Sequence, residues 1–145
     1  MNPKNITCVA RVISIMMLLA LLAGLTPGVV RPAYAAPGDL MRVSVDSSGA
    51  QANGGSVRGQ ISADGRYVAF MSDATNLIPN DTNNTEDVFV KDRQTGATTR
   101  VSVASQTGAQ ANNGSTTPAI SGDGRFVAFY SDASNLVSGD TNNQT

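Results

Sequence analysis

The strongest constraint on this chain is that it states nearly the same message twice. "RVSV" stands at Arg42 to Val45 and again at Arg100 to Val103, and "GAQANGGS" (Gly49 to Ser56) returns as "GAQANNGS" (Gly108 to Ser115). "ISADGRYVAF" (Ile61 to Phe70) is answered by "ISGDGRFVAF" (Ile120 to Phe129), and "SDATNLIPNDTNN" (Ser72 to Asn84) by "SDASNLVSGDTNN" (Ser131 to Asn143). The offset is 58 residues for the first match and 59 for the others, so one residue is inserted near Ser105. A repeat of this length, made of short apolar runs and turn residues, cannot bury its own faces. It needs neighbours of the same kind, as in a propeller-type array.

Within one unit the pattern predicts strands. "GQIS" (Gly59 to Ser62) leads into Ala63-Asp64-Gly65, and Asp-Gly between apolar runs is a hairpin signal because glycine tolerates positive φ. "RYVAFMS" (Arg66 to Ser72) is almost continuously apolar, so both of its faces are expected to be covered. "DVFVKD" (Asp87 to Asp92) is a third strand, and "TTRVSV" (Thr98 to Val103) a fourth after the turn Gln94 to Ala97. In the fourth, Val101 and Val103 alternate with Arg100 and Ser102, which predicts an outer strand with Arg100 and Ser102 on its wet face. The fold class expected is all-β: a complete four-stranded antiparallel unit over 59–103, a last strand and connecting loop of a preceding unit over 36–58, and a loop with the first half of a following unit over 104–145.

The first 35 residues read as an address. Lys4 and Arg11 precede the apolar run Val12 to Leu25, and Ala33-Tyr34-Ala35 supplies small residues at a cleavage point, as in a secretory signal peptide. The run is shorter than the ~20 residues of a membrane span. Cleavage would remove Lys4, Arg11 and Arg31 and leave seven basic residues against eleven acidic ones, a net of −4. That balance argues against nucleic acid as a partner. Cys8 leaves with the leader, so the mature chain has no disulfide framework; its location is expected to be secreted, periplasmic or cell-surface.

Catalysis finds little material. The chain has no histidine and its single cysteine lies in the leader, which removes a Ser-His-Asp triad, a cysteine nucleophile and the usual zinc ligands. Ser56 and Ser115 sit outside any nucleophile elbow. A carboxylate pair such as Asp64 with Asp73 is the remaining glycosidase-like option, set against Asp residues that simply close turns. The better site candidate is the repeated acidic loop. In "NDTNNTED" the oxygen-bearing side chains of Asp81, Asn83, Thr85 and Asp87 fall at every second position, and the second copy supplies Asp140 and Asn142. Such a set suits a hard cation, Ca²⁺ above all; the rival reading is a metal-free Asx or ST turn. Gln51, Asn53, Gln110 and Asn112 in the Gly-Ala-Gln-Ala-Asn loops either contact a ligand or satisfy turn backbone.

The segments "ISADGRYVAFMS" and "ISGDGRFVAFYS" resemble the WD40-like repeat of TolB-type β-propellers. The matching positions are Ser62, Asp64, Gly65, Arg66, Ala69, Phe70 and Ser72 in one copy, and Ser121, Asp123, Gly124, Arg125, Ala128, Phe129 and Ser131 in the other. The resemblance implies stacked four-stranded blades and a non-enzymatic scaffold for protein or glycan ligands, with self-association through open blade edges as a further expectation. Its rivals are the front of a larger propeller-containing hydrolase and a calcium-dependent surface adhesin.

Overall fold

The computed structural model describes residues 40–140; the leader 1–35, Cys8 and Asn142 lie outside the described residues. All regular structure among them is antiparallel β, and no helix occurs. Strands β1 (Ser56–Ile61), β2 (Tyr67–Ser72), β3 (Asp87–Asp92) and β4 (Thr98–Arg100) form one four-stranded sheet in chain order, and β5 (Ser115–Ile120) pairs with β6 (Val127–Ser131) in a second. The meander follows from the sequence: each connection is short or rich in Asp, Asn and Gly, so sequential strands meet as neighbours.

The Ser-x-Asp-Gly-Arg turn is built identically in both copies. Ser62 Oγ donates to Asp64 Oδ1, which also accepts the Arg66 amide, while the Tyr67 amide donates to Ser62 Oγ. Ser121, Asp123, Arg125 and Phe126 repeat every one of these bonds. The motif is therefore a hydrogen-bonded corner that aims β2 and β6. The hydroxyl and the turn amides hold the carboxyls of Asp64 and Asp123 below the ordinary carboxylate range.

β1 begins at Ser56, three residues before the expected Gly59, because a bulge lets the strand continue. Val57 faces Met71 and Gln60 faces Ala69, so Arg58 and Gly59 together oppose Phe70. The second sheet repeats the irregularity, with Thr117 and Pro118 opposite Phe129. Met41–Val45, expected as a strand, contributes only the isolated bridge Val45 to Gln51, and its counterpart Val103 bridges Gln110.

Packing divides the first sheet by face. Phe70 stacks on Phe89 with ring centroids 5.8 Å apart, and Ala74 and Leu77 complete a small core on that side. Burying the phenylalanine and leucine side chains contributes about 1.5–3 kcal/mol each. Lys91, only 4% exposed, points the same way: its ammonium donates to the carbonyls of Asp46 and Gly96 and to Thr98 Oγ1, pinning the 45–46 segment to β3 and β4. Desolvation holds its pKa below the usual lysine value. The other face, with Tyr67, Ala69 and Val88, meets the second sheet. Ala63 donates to the Gly122 carbonyl at 2.8 Å and Ser115 to that of Glu86 at 2.8 Å. Gly124 lies so close to the Tyr67 ring that a Cβ there would meet it at 2.3 Å.

One expectation is overturned. The fourth strand, expected over 98–103, ends at Arg100, and Ser102 just beyond it is fully buried while the Arg100 side chain is 8% exposed, so the polar positions of this segment turn inward. They do so because the acidic loop beside them carries two buried carboxylates that require a counter-charge.

Candidate functional site

The acidic loop closes on Arg100. Arg100 Nη1 donates to Asp81 Oδ1 at 3.0 Å and to Asp87 Oδ2 at 2.9 Å, and Nη2 donates to Gln110 Oε1 at 2.9 Å. Asp87, at the start of β3, is completely buried; its Oδ1 accepts from Ser102 Oγ at 2.6 Å and its Oδ2 also from Asn83 Nδ2 at 3.1 Å. Ser102 Oγ in turn accepts the Val88 amide. Asn83 Nδ2 further reaches the Ala111 carbonyl, and Gln110 Nε2 donates to Thr82 Oγ1. The loop, the fourth strand and the linker to the second repeat thus share one network. Burial pushes the Asp81 carboxyl above its ordinary value, against the pull of Arg100.

Of the expected cation ligands, three are brought together: Asp81, Asn83 and Asp87. Thr85 Oγ1 turns instead to Glu86 Oε2, Asp140 belongs to the second copy, and Asn142 is outside the described residues. The donor set therefore fits Ca²⁺ poorly in this conformation. Both clustered carboxylates already face a guanidinium, and no group of three or more acidic, His or Cys side chains is spaced to hold a metal among the described residues. Arg100 Nε and Asn83 Oδ1 are the two buried side-chain polar atoms without a partner among the described residues. Arg100 and Gln110 escaped sequence reasoning as members of this cluster. The available signal was electrostatic: a repeated acidic loop, with one basic residue on the strand that follows it.

The Gly-Ala-Gln-Ala-Asn loops satisfy backbone. Asn53 Oδ1 accepts the Thr75 amide, its Nδ2 donates to Thr75 Oγ1, and Asn76 returns a bond to the Gln51 carbonyl. Asn112, Ser134, Asn135 and Gln110 repeat this reciprocal clasp. Ser56 and Ser72 pair through their hydroxyls at 2.9 Å, as do Ser115 and Ser131 at 2.8 Å. Asp64 and Asp73 flank opposite ends of β2, on the order of 20 Å apart at strand rise, well beyond the carboxyl spacing of glycosidases.

Two further exposed features lie among the described residues. An open cleft of about 520 Å³ lies beside the 46–48 turn, floored by Leu77 and Ile78 and walled by Asn76 and Thr98. Its one carboxylate, Asp46, is occupied by the Ser48 and Ala50 amides and the Ser48 hydroxyl. The second feature is the bulge. Arg58 has φ 57° and Thr117 φ 52°, left-handed conformations that are strained for residues with a Cβ, above all for β-branched threonine. They sit at equivalent positions of β1 and β5, and both are exposed. The Arg58 side chain makes no hydrogen bond or ion pair among the described residues, so its guanidinium is available to solvent.

No family profile, no curated protein and no solved structure matches this chain.

Proposed function

We propose that the chain is an exported, non-catalytic binding scaffold in which the four-stranded sheet β1–β4 is one blade of a β-propeller-type array and β5–β6 begins the next. The export half of the reading rests on the charged, apolar and small-residue order of residues 1–35. The scaffold half is supported by how the polar residues are used: among the described residues the turns, the clasps, the serine pairs and most of the Arg100 network are engaged in internal hydrogen bonds.

The observation that carries a binding role is the strained bulge kept in both copies. Backbone strain at an exposed position costs of order 1–3 kcal/mol and persists where it serves a site, and bulges re-aim side chains outward. In a blade the first strand lies nearest the central axis, so Arg58 and Thr117 would line one shared surface. Arg58 gives that surface a positive group on an otherwise acidic protein, and suits it to an acidic glycan or polypeptide.

The test uses alginate, an anionic polysaccharide, against neutral dextran as probes. The full chain is expected to retain alginate in preference to dextran; Arg58→Ala weakens retention about tenfold, a change of about 1.4 kcal/mol, while Arg58→Lys keeps most of it. Equal retention of the two probes, or an unaffected Arg58→Ala variant, refutes the proposal.

A further inference from the structure

The two repeats are alike in sequence and unlike in exposure, and the differences are complementary. On β2 the positions Tyr67, Ala69 and Met71 face the second sheet; Ala69 is fully buried and Tyr67 packs on Gly124. Their equivalents are Phe126, immediately before β6, and Ala128 and Tyr130 on it, all exposed, with Phe126 at 64% and Tyr130 at 66%. The second repeat therefore carries, open to solvent, the face with which the first repeat receives its neighbour.

The opposite difference marks the other side. Pro118 is buried and Ile120 half-buried in β5, which meets β1, β2 and β3 of the first sheet. Their equivalents in β1, Gly59 and Ile61, are exposed, Ile61 at 57%. One end of the two-repeat stack thus presents an inserting surface and the other a receiving surface. The joint between the repeats shows that surfaces of these two kinds fit together.

We infer that a second copy of this chain docks head to tail, its Ile61 surface seated on the Phe126–Tyr130 surface of the first. The occupant follows from the molecule's own interior interface: the receiving face is covered in the first repeat by a repeat of nearly the same sequence. Such contact is heterologous, joining two different patches, and propagates into a ring or a filament depending on the rotation between copies. It joins sheet faces, which distinguishes it from pairing along exposed strand edges. The inference rests on the stacked-sheet part of the proposed reading and on no ligand, so a failed alginate test leaves it standing.

The experiment measures the mass of the full chain by light scattering over rising concentration, for wild type, Ile61→Asp and Phe126→Asp. Both substituted side chains are more than half exposed, so neither change enters the core; Ile61→Lys and Tyr130→Lys serve as second variants should either aspartate variant lose its circular dichroism spectrum. The expected result is a wild-type mass that climbs with concentration and two single variants that stay monomeric. Mixing those variants then yields a dimer and nothing larger, because one intact surface of each kind remains. A wild type monomeric throughout, association that survives either substitution, or a mixture that fails to dimerise overturns the inference. Association through the apolar residues 12–25 would survive both substitutions and is thereby separated.

Discussion

Replacing Arg100 by methionine tests the central electrostatic claim, that a guanidinium neutralises the repeated acidic loop from inside. The substitution keeps much of the side-chain length and removes every donor to Asp81, Asp87 and Gln110. The Asp81 and Asp87 side chains are 4% and 0% exposed, so water cannot replace the lost partner without opening the loop. Removing one member of a buried ion pair costs about 3–5 kcal/mol, a large share of the roughly 5–15 kcal/mol that holds a domain of this size together. With a urea slope of about 1.5–2 kcal/mol/M, the unfolding midpoint falls by roughly 2–3 M. Tyrosine fluorescence and circular dichroism follow the transition. The sign with pH is also determined. Burial already pushes the Asp81 carboxyl above its ordinary value against the pull of Arg100, so without the guanidinium the penalty is present at neutral pH and is relieved as pH falls through the raised folded value. The gap between variant and wild type therefore narrows as the pH is lowered from 7. Adding Asp81→Asn and Asp87→Asn to the variant restores part of the loss at pH 7. A variant within about 1 kcal/mol of wild type at pH 7, or a gap that widens on acidification, would refute the reasoning.

Gly124→Ala is expected to destabilise by more than Gly65→Ala, although both glycines have positive φ near 72–73°. At Gly124 the new Cβ meets the Tyr67 ring at 2.3 Å, whereas at Gly65 the nearest atom is the flexible Arg93 guanidinium at 3.5 Å; comparable urea midpoints for the two would sink the assigned repeat-to-repeat contact. Calcium at ~5 mM, above the roughly 0.1–1 mM dissociation constants of extracellular sites, is expected to leave the melting midpoint unchanged. A rise that Asp81→Ala abolishes would put the ion back in the loop. Acid is expected to destabilise the protein below the ordinary carboxylate value of 3.8, because Arg66 above all holds Asp92 well under it, and turn hydrogen bonds do the same for Asp46. A depressed folded value gives stability that is present above the unfolded value and is lost as pH falls below it. Asp81 works in the opposite direction, and Asp92→Asn should flatten the slope; urea midpoints from pH 5 to 2.5 that rise on acidification would contradict this.

Much of the fold was legible because its causes are local. Apolar runs, Asp-Gly corners and a 59-residue self-match placed β2 and β3 within a residue and identified the second sheet as a copy of the first, while the expected fourth strand runs to Val103 although β4 ends at Arg100, and the expected strand Met41–Val45 makes only a bridge. The Ser-x-Asp-Gly-Arg motif was legible for the same reason, since its hydrogen bonds close within five residues. The bulges at Arg58 and Thr117 were hidden, because nothing in either residue advertises a left-handed conformation.

The repeat and its strand order belong to the sequence alone, since short-range pattern and turn chemistry suffice to set them. Tertiary structure decided which way the polar side of the fourth strand turns. Alternation says only that Arg100 and Ser102 share a face; which face is buried depends on the charge packed against it, and that charge arrives from Asp81 and Asp87, more than ten residues away. Three-dimensional packing likewise decided that Phe126 and Tyr130 stand exposed where their counterparts Tyr67 and Met71 are covered. Exposure is a property of neighbours, and two nearly identical sequences acquire different surfaces because one has the other stacked upon it.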